Sequence, residues 1–86
     1  MNKNQDAMTP SFSTLVLSIG SSAAMAMGLA PNPSTQQIEK DLAMARFHID
    51  LLVLLRDKTK NNLEAEEKQF LDSVISDLQL KYVQTK

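Results

Sequence analysis

The sequence predicts an all-α fold of three helices, in which an apolar N-terminal helix precedes an antiparallel helical hairpin. Residues 35–83 repeat apolar side chains at the three- and four-residue spacing that is typical of helices. The preceding stretch, Ser11 to Met27, carries no charge and is followed by Gly28. Pro31 and Pro33, and later Asn61 and Asn62, separate the three segments. A chain of 86 residues makes one small domain, which we place at residues 10–83.

The first helix is predicted over residues 10–28, after a flexible tail at residues 1–9. Thr9 is a suitable N-cap and Pro10 suits the first helical position, where its missing N–H is no loss. Gly28 is a natural helix stop. Gly20 and Ala24 precede Gly28 at four-residue intervals. This row of small side chains allows another helix to approach closely.

The charge-free run leaves two alternatives to a buried helix. Phe12 to Ala30, 19 residues, is long enough to span a bilayer, but it contains four serines, one threonine and two glycines. Ala24-Met25-Ala26 resembles a signal-peptide cleavage site, but the preceding strongly apolar part is short and Lys3 is offset by Asp6. We therefore expect a buried helix, with a membrane-associated protein anchored by residues 12–30 as the main alternative.

The second helix is predicted over residues 35–58, with Ser34 or Thr35 as its N-cap. At about 100° per residue it has two opposite apolar faces. A surface helix has one apolar stripe, so this helix needs a partner on both sides. The first face contains Ile38, Leu42, Ala45, Ile49 and Leu52, and the second contains Ala43, Met44, Phe47, Leu51, Leu54 and Leu55.

The third helix is predicted over residues 64–83, before a C-terminal tail at 84–86. Its acidic first turn suits the helix dipole. One apolar face can cover one side of the second helix across a short loop. That face contains Phe70, Leu71, Val74, Ile75, Leu78 and Tyr82, whereas Leu80 and Val83 lie off it and indicate a further contact.

Composition and motifs argue against several classes of function. The chain has 9 basic and 10 acidic residues with interspersed signs, so it lacks the basic stripe of a nucleic-acid-binding protein. It has no cysteine, which excludes disulfides and thiolate metal sites and is compatible with the cytoplasm, where we expect the protein to be. His48 is the only histidine, and the two glycines make no phosphate loop. We expect no catalytic residue, metal or cofactor. Arg46 and Asp50, four residues apart, are predicted to form a structural ion pair.

A pattern of residues from Pro10 to Val83 resembles a small bacterial family, catalogued as domain of unknown function 1844. Its most specific part runs from Ala45 to Glu67. Asn61 replaces the usual glycine and Glu64 the usual threonine or serine; both changes are physically mild, since Asn tolerates the left-handed conformation. The resemblance implies a small all-helical protein and no activity. The matching residues are Ser11-Phe12, Val16, Ser18, Gly28-Leu29-Ala30-Pro31, Asp41-Leu42, Ala45-Arg46, Ile49-Asp50, Leu52, Leu55, Asp57-Lys58-Thr59, Asn62-Leu63, Glu66-Glu67 and Tyr82-Val83.

The first helix is apolar on nearly every side, and burying it needs more protein than two helices supply. We therefore predict a homo-oligomer, most simply a two-fold dimer with a six-helix core. We expect a structural or protein-interaction module that self-associates and docks a further protein. An enzyme or a small-molecule binder is a weaker hypothesis, because the sequence shows no set of polar residues that would come together in one site. The predicted self-association residues are Leu15, Val16, Ile19, Gly20, Ala23, Ala24, Met27, Met44, Phe47 and Leu51.

Overall fold

The computed structural model describes residues 9–86 and contains three helices, α1 (Phe12–Ala26), α2 (Leu42–Lys58) and α3 (Ala65–Thr85). Within these residues no strand forms, and each helix packs against the other two. The all-α prediction is therefore confirmed. Apart from Thr9, the predicted N-terminal tail lies outside the described residues.

Helix α1 begins at Phe12, two residues after the predicted start, because Ser11 rather than Thr9 is its N-cap. The Ser11 hydroxyl accepts a hydrogen bond of 3.0 Å from the Thr14 N–H. At the other end Gly28 has a φ of 81°, which L side chains rarely adopt. The Gly28 N–H donates to the Met25 carbonyl and the Leu29 N–H to the Ala24 carbonyl. These two bonds form the Schellman motif, so Gly28 ends α1 as its sequence position indicates.

Helix α2 begins at Leu42, and this corrects the start predicted at residue 35. Asp41 is the N-cap, and its Oδ1 accepts a 3.1 Å hydrogen bond from the Met44 N–H. The Asp41 N–H donates to the Ala26 carbonyl at 2.7 Å, and Met27 and Lys40 form an isolated antiparallel bridge. Pairing with the end of α1 thus holds the segment before Leu42 in extended conformation. Ile38 consequently lies outside the helix and is exposed.

Residues 59–64 turn the chain between α2 and α3. Asn61 has a φ of 69° and occupies the left-handed position that its residue type tolerates. Glu64 is the N-cap of α3, and its N–H donates to Glu67 Oε1 at 2.9 Å. Helix α3 then continues to Thr85, two residues past the predicted end at 83.

One aliphatic core lies between the three helices. Gly20, in the middle of α1, allows α3 to pack closely: a Cβ at Gly20 would lie 3.3 Å from Val74 Cγ1. The predicted row of small residues on α1 therefore receives a helix of the same chain. The buried apolar residues are Val16, Ala23, Met27, Ala45, Ile49, Leu52, Leu71, Ile75 and Leu78.

Candidate functional site

The candidate site is the outward face of α2, which we define as Met44, Phe47, Leu51 and Leu54. These residues follow one another at spacings of three, four and three, so they form one stripe along the helix. At about 100° per residue the stripe lies opposite Ala45, Ile49 and Leu52, which face the core. The outward face therefore points away from α1 and α3.

The outward face is largely open to solvent. Met44, Phe47 and Leu54 are 45%, 54% and 51% exposed, and Leu51 is half-buried. In contrast, Ala45 and Leu52 on the inward face are fully buried. The chain thus covers one of the two apolar faces that the sequence predicts for this helix and leaves most of the second exposed, although Leu51 and Leu55 of that second face are partly buried and Leu55 packs against the core. Contiguous exposed apolar patches of this kind mark interaction sites more often than scattered apolar residues do.

Polar side chains border the outward face on both sides. On the side toward α3, Arg46 Nε lies 3.3 Å from Asp50 Oδ1, in the ion pair predicted from their spacing. Both side chains are well exposed, so the pair adds only about 0.3–0.5 kcal/mol to stability. On the other side, His48 Nδ1 lies 2.9 Å from the Met44 carbonyl oxygen. The His48 ring also meets Phe47 edge-on at 5.4 Å between centroids. These contacts orient Phe47 and His48 along the border of the stripe.

The structure separates the predicted self-association residues into two groups. Val16, Gly20, Ala23 and Met27 are buried within this chain, so a role for them in self-association stays a prediction. Three further residues of this set also lie on α1: Ile19 and Ala24 are partly buried, and Leu15 is exposed. Only Met44, Phe47 and Leu51 belong to the outward face, and the sequence-based set omitted Leu54.

The serine-rich side of α1 offers no reactive arrangement in the described residues. The Ser22 hydroxyl donates to the Ser18 carbonyl at 3.2 Å, as expected for serines inside a helix. Residues 9–86 also contain no group of three or more histidine, aspartate and glutamate side chains that could hold a metal ion.

The membrane-spanning alternative required a helix over about residues 12–30. Helix α1 has 15 residues and ends at Ala26. Across residues 9–86, no helix combines the length and the apolar character needed to cross a membrane.

A second feature, which the sequence did not reveal, is a cleft at the turn between α2 and α3. Arg56, Lys60 and Lys68 line this cleft together with Leu63 and Leu71. These three cations are four and eight residues apart, and in one continuous helix that spacing would place them on the same side. The turn at Asn61 interrupts the helix, so the spacing alone did not predict the cleft.

Comparison with known proteins yields one relationship. No curated protein and no solved structure matches the chain significantly. A family model described as Domain of unknown function (DUF1844) matches residues 9–84, nearly the whole chain. That description assigns no activity. The chain therefore belongs to the DUF1844 family.

Proposed function

We propose that this protein is a non-catalytic self-association module of the cytoplasm, which forms a two-fold dimer through the outward face of α2. The observation that carries this proposal is the exposed stripe of Met44, Phe47, Leu51 and Leu54 opposite the core. Its three-four-three spacing is the a/d repeat of a coiled-coil seam. A second helix with the same spacing of apolar residues can pack against such a seam.

The area of the outward face suits a second copy of this chain. Phe47 exposes about half of a side chain that buries roughly 200 Å² when covered, and the four residues together offer on the order of 300–400 Å² of apolar surface. A small protein interface buries about 600–800 Å² per partner, of which about 60% is apolar. The stripe therefore supplies most of the apolar area that one side of a modest dimer interface needs.

An antiparallel pair of α2 helices fits the stripe and its borders best. In this pairing Met44 lies opposite Leu54 of the partner subunit, and Phe47 lies opposite Leu51 of the partner subunit. All four layers are then apolar, and Arg46 approaches Asp50 of the partner subunit at the border. A parallel pair would instead set like ends of the two α2 helix dipoles beside each other, which is less favourable.

The test is the molar mass of the full-length chain by light scattering coupled to size exclusion. We expect a dimer for the natural chain and a monomer for Leu54→Glu, because the two introduced glutamates, one from each chain, would be buried without a partner charge at the seam and oppose association. Leu80→Glu is the matched control: Leu80 is an equally large apolar residue, 58% exposed against 51% for Leu54, but it lies on α3. This control should remain dimeric.

Two outcomes would contradict the proposal. If the natural chain is monomeric at all concentrations, the outward face awaits a different protein rather than a second copy. If Leu80→Glu dissociates the dimer and Leu54→Glu does not, the interface lies on α3.

Single cysteines test the antiparallel arrangement, since the natural chain contains none. A disulfide requires Cα atoms within about 7 Å. Chains carrying Met44→Cys should therefore cross-link with chains carrying Leu54→Cys, while each variant alone should cross-link poorly. A parallel dimer would show the reverse, with efficient cross-linking of each variant to itself.

A further inference from the structure

We propose that the cleft between the end of α2, the following turn and the start of α3 binds a small aliphatic carboxylate. The cleft has a volume of about 440 Å³, within the range of about 300–1,000 Å³ that is usual for small-ligand sites. It lies off the outward face of α2, so this proposal is independent of dimer formation. Its lining residues are Arg56, Asp57, Thr59, Lys60, Asn61, Leu63, Lys68 and Leu71.

The charges around the cleft leave one positive charge unbalanced. Arg56 Nη1 lies 3.7 Å from Asp72 Oδ1, and Lys68 Nζ lies 3.1 Å from Asp72 Oδ2, so one carboxylate serves two cations. Lys60 makes no ion pair with any residue in 9–86. Asp57 also lines the cleft. Among the lining residues and their ion-pair partner Asp72, three cations accompany two carboxylates, and a ligand with a single negative charge would complete the balance.

The apolar part of the cleft selects for an alkyl group beside that charge. The apolar side chain that the cleft exposes is Leu63, which is partly buried and packs against the core; Leu71 beneath it is fully buried and presents no open surface. The methylene stems of Lys60 and Lys68 add apolar surface below their charged ends. The lining contains no aromatic side chain for stacking. A short alkyl chain ending in a carboxylate therefore matches both the exposed part of Leu63 with the lysine stems and the excess positive charge.

The test is an NMR titration of the ¹⁵N-labelled full-length protein with hexanoate, compared with hexanol and acetate. We expect saturable hexanoate shifts at the amides of residues 56–63 and 68–71. Hexanol lacks the charge and acetate lacks the alkyl chain, so both should bind at least about tenfold more weakly. Lys60→Gln should weaken hexanoate binding about tenfold, the usual effect of losing one hydrogen bond to a charged group. Added salt should weaken the binding as well.

Lys81→Gln provides the matched control, because Lys81 lies on α3 in an exposed ion pair with Asp77 and does not line the cleft. This variant should bind hexanoate like the natural chain, and so should the Leu54→Glu variant of the outward face. Equal affinity for hexanol and hexanoate, an equal loss in Lys60→Gln and Lys81→Gln, or shifts confined to α2 residues 43–54 would each overturn the proposal.

Discussion

Gly20 shows how one residue decides the packing of this small bundle. A glycine inside a helix costs roughly 0.5–1 kcal/mol relative to alanine, so its place in the middle of α1 needs a reason. The reason is the approach of α3: a Cβ at Gly20 would lie 3.3 Å from Val74 Cγ1 and 3.7 Å from Leu78 Cδ1. One methyl group fits there only if Val74 shifts by a few tenths of an ångström. A longer side chain would have to place further atoms beside Val74 and Leu78 as well.

Substitutions at Gly20 should therefore depend on size. We expect Gly20→Ala to change the free energy of unfolding by less than about 1 kcal/mol, because the gain in helix propensity offsets the tight contact. Gly20→Leu should lower it by about 2–3 kcal/mol through overpacking. Urea unfolding followed by circular dichroism measures both. Ser18→Leu, on the exposed side of the same helix, is the control and should have little effect. An unchanged stability for Gly20→Leu would refute the close contact between α1 and α3.

At the scale of elements, the start of α2 was less predictable than the ends of α1 and α2. The ends of α1 and α2 could be predicted from Gly28 and Asn61, because few residue types accept the positive φ that these two residues adopt. Ser34, Thr35 and Asp41 are all good N-cap residues, so local sequence does not distinguish them. The choice of Asp41 depends on its backbone hydrogen bond to Ala26, a contact between distant segments. Local patterns carry no information about such a contact.

Alanine substitutions at the two competing caps test this start. Asp41→Ala removes the bond from the Met44 N–H and should lower stability by about 1 kcal/mol, or roughly 4–8 °C in Tm for a domain of this size. Thr35→Ala should change stability by less than about 0.5 kcal/mol, because Thr35 lies in an exposed loop where its hydroxyl accepts a 3.3 Å bond from the Gln37 N–H and donates a 3.3 Å bond to Glu39 Oε2. Thermal unfolding by circular dichroism measures both variants. A larger loss from Thr35→Ala would place the start of α2 near residue 35 in solution.

At the scale of the whole molecule, α1 and α3 cover one side of α2 and leave the apolar residues of the outward face exposed. Helical periodicity identified both faces, because it shows which residues share a side. It does not show which partner covers each side: Val16 and Met27, predicted for self-association, are buried in the core of the single chain. The cleft at Lys60 escaped prediction for a related reason: it forms where the end of α2, the turn and α3 meet. The sequence therefore predicted the helices, but it did not predict which helices and turns contact one another.

A dimer built on the outward face of α2 makes thermal stability depend on concentration. Association stabilises the folded chain by mass action, so a tenfold rise in protein concentration should raise Tm by roughly 3–5 °C for a dimer of chains this long. Differential scanning calorimetry over a hundredfold range of concentration measures this shift. Leu54→Glu should abolish the dependence, whereas Leu80→Glu should keep it, because only Leu54 lies in the stripe. A Tm for the natural chain that is constant over this range would mean that the core between α1, α2 and α3 stabilises the fold alone, and the second apolar face of α2 would then need a different protein as its partner.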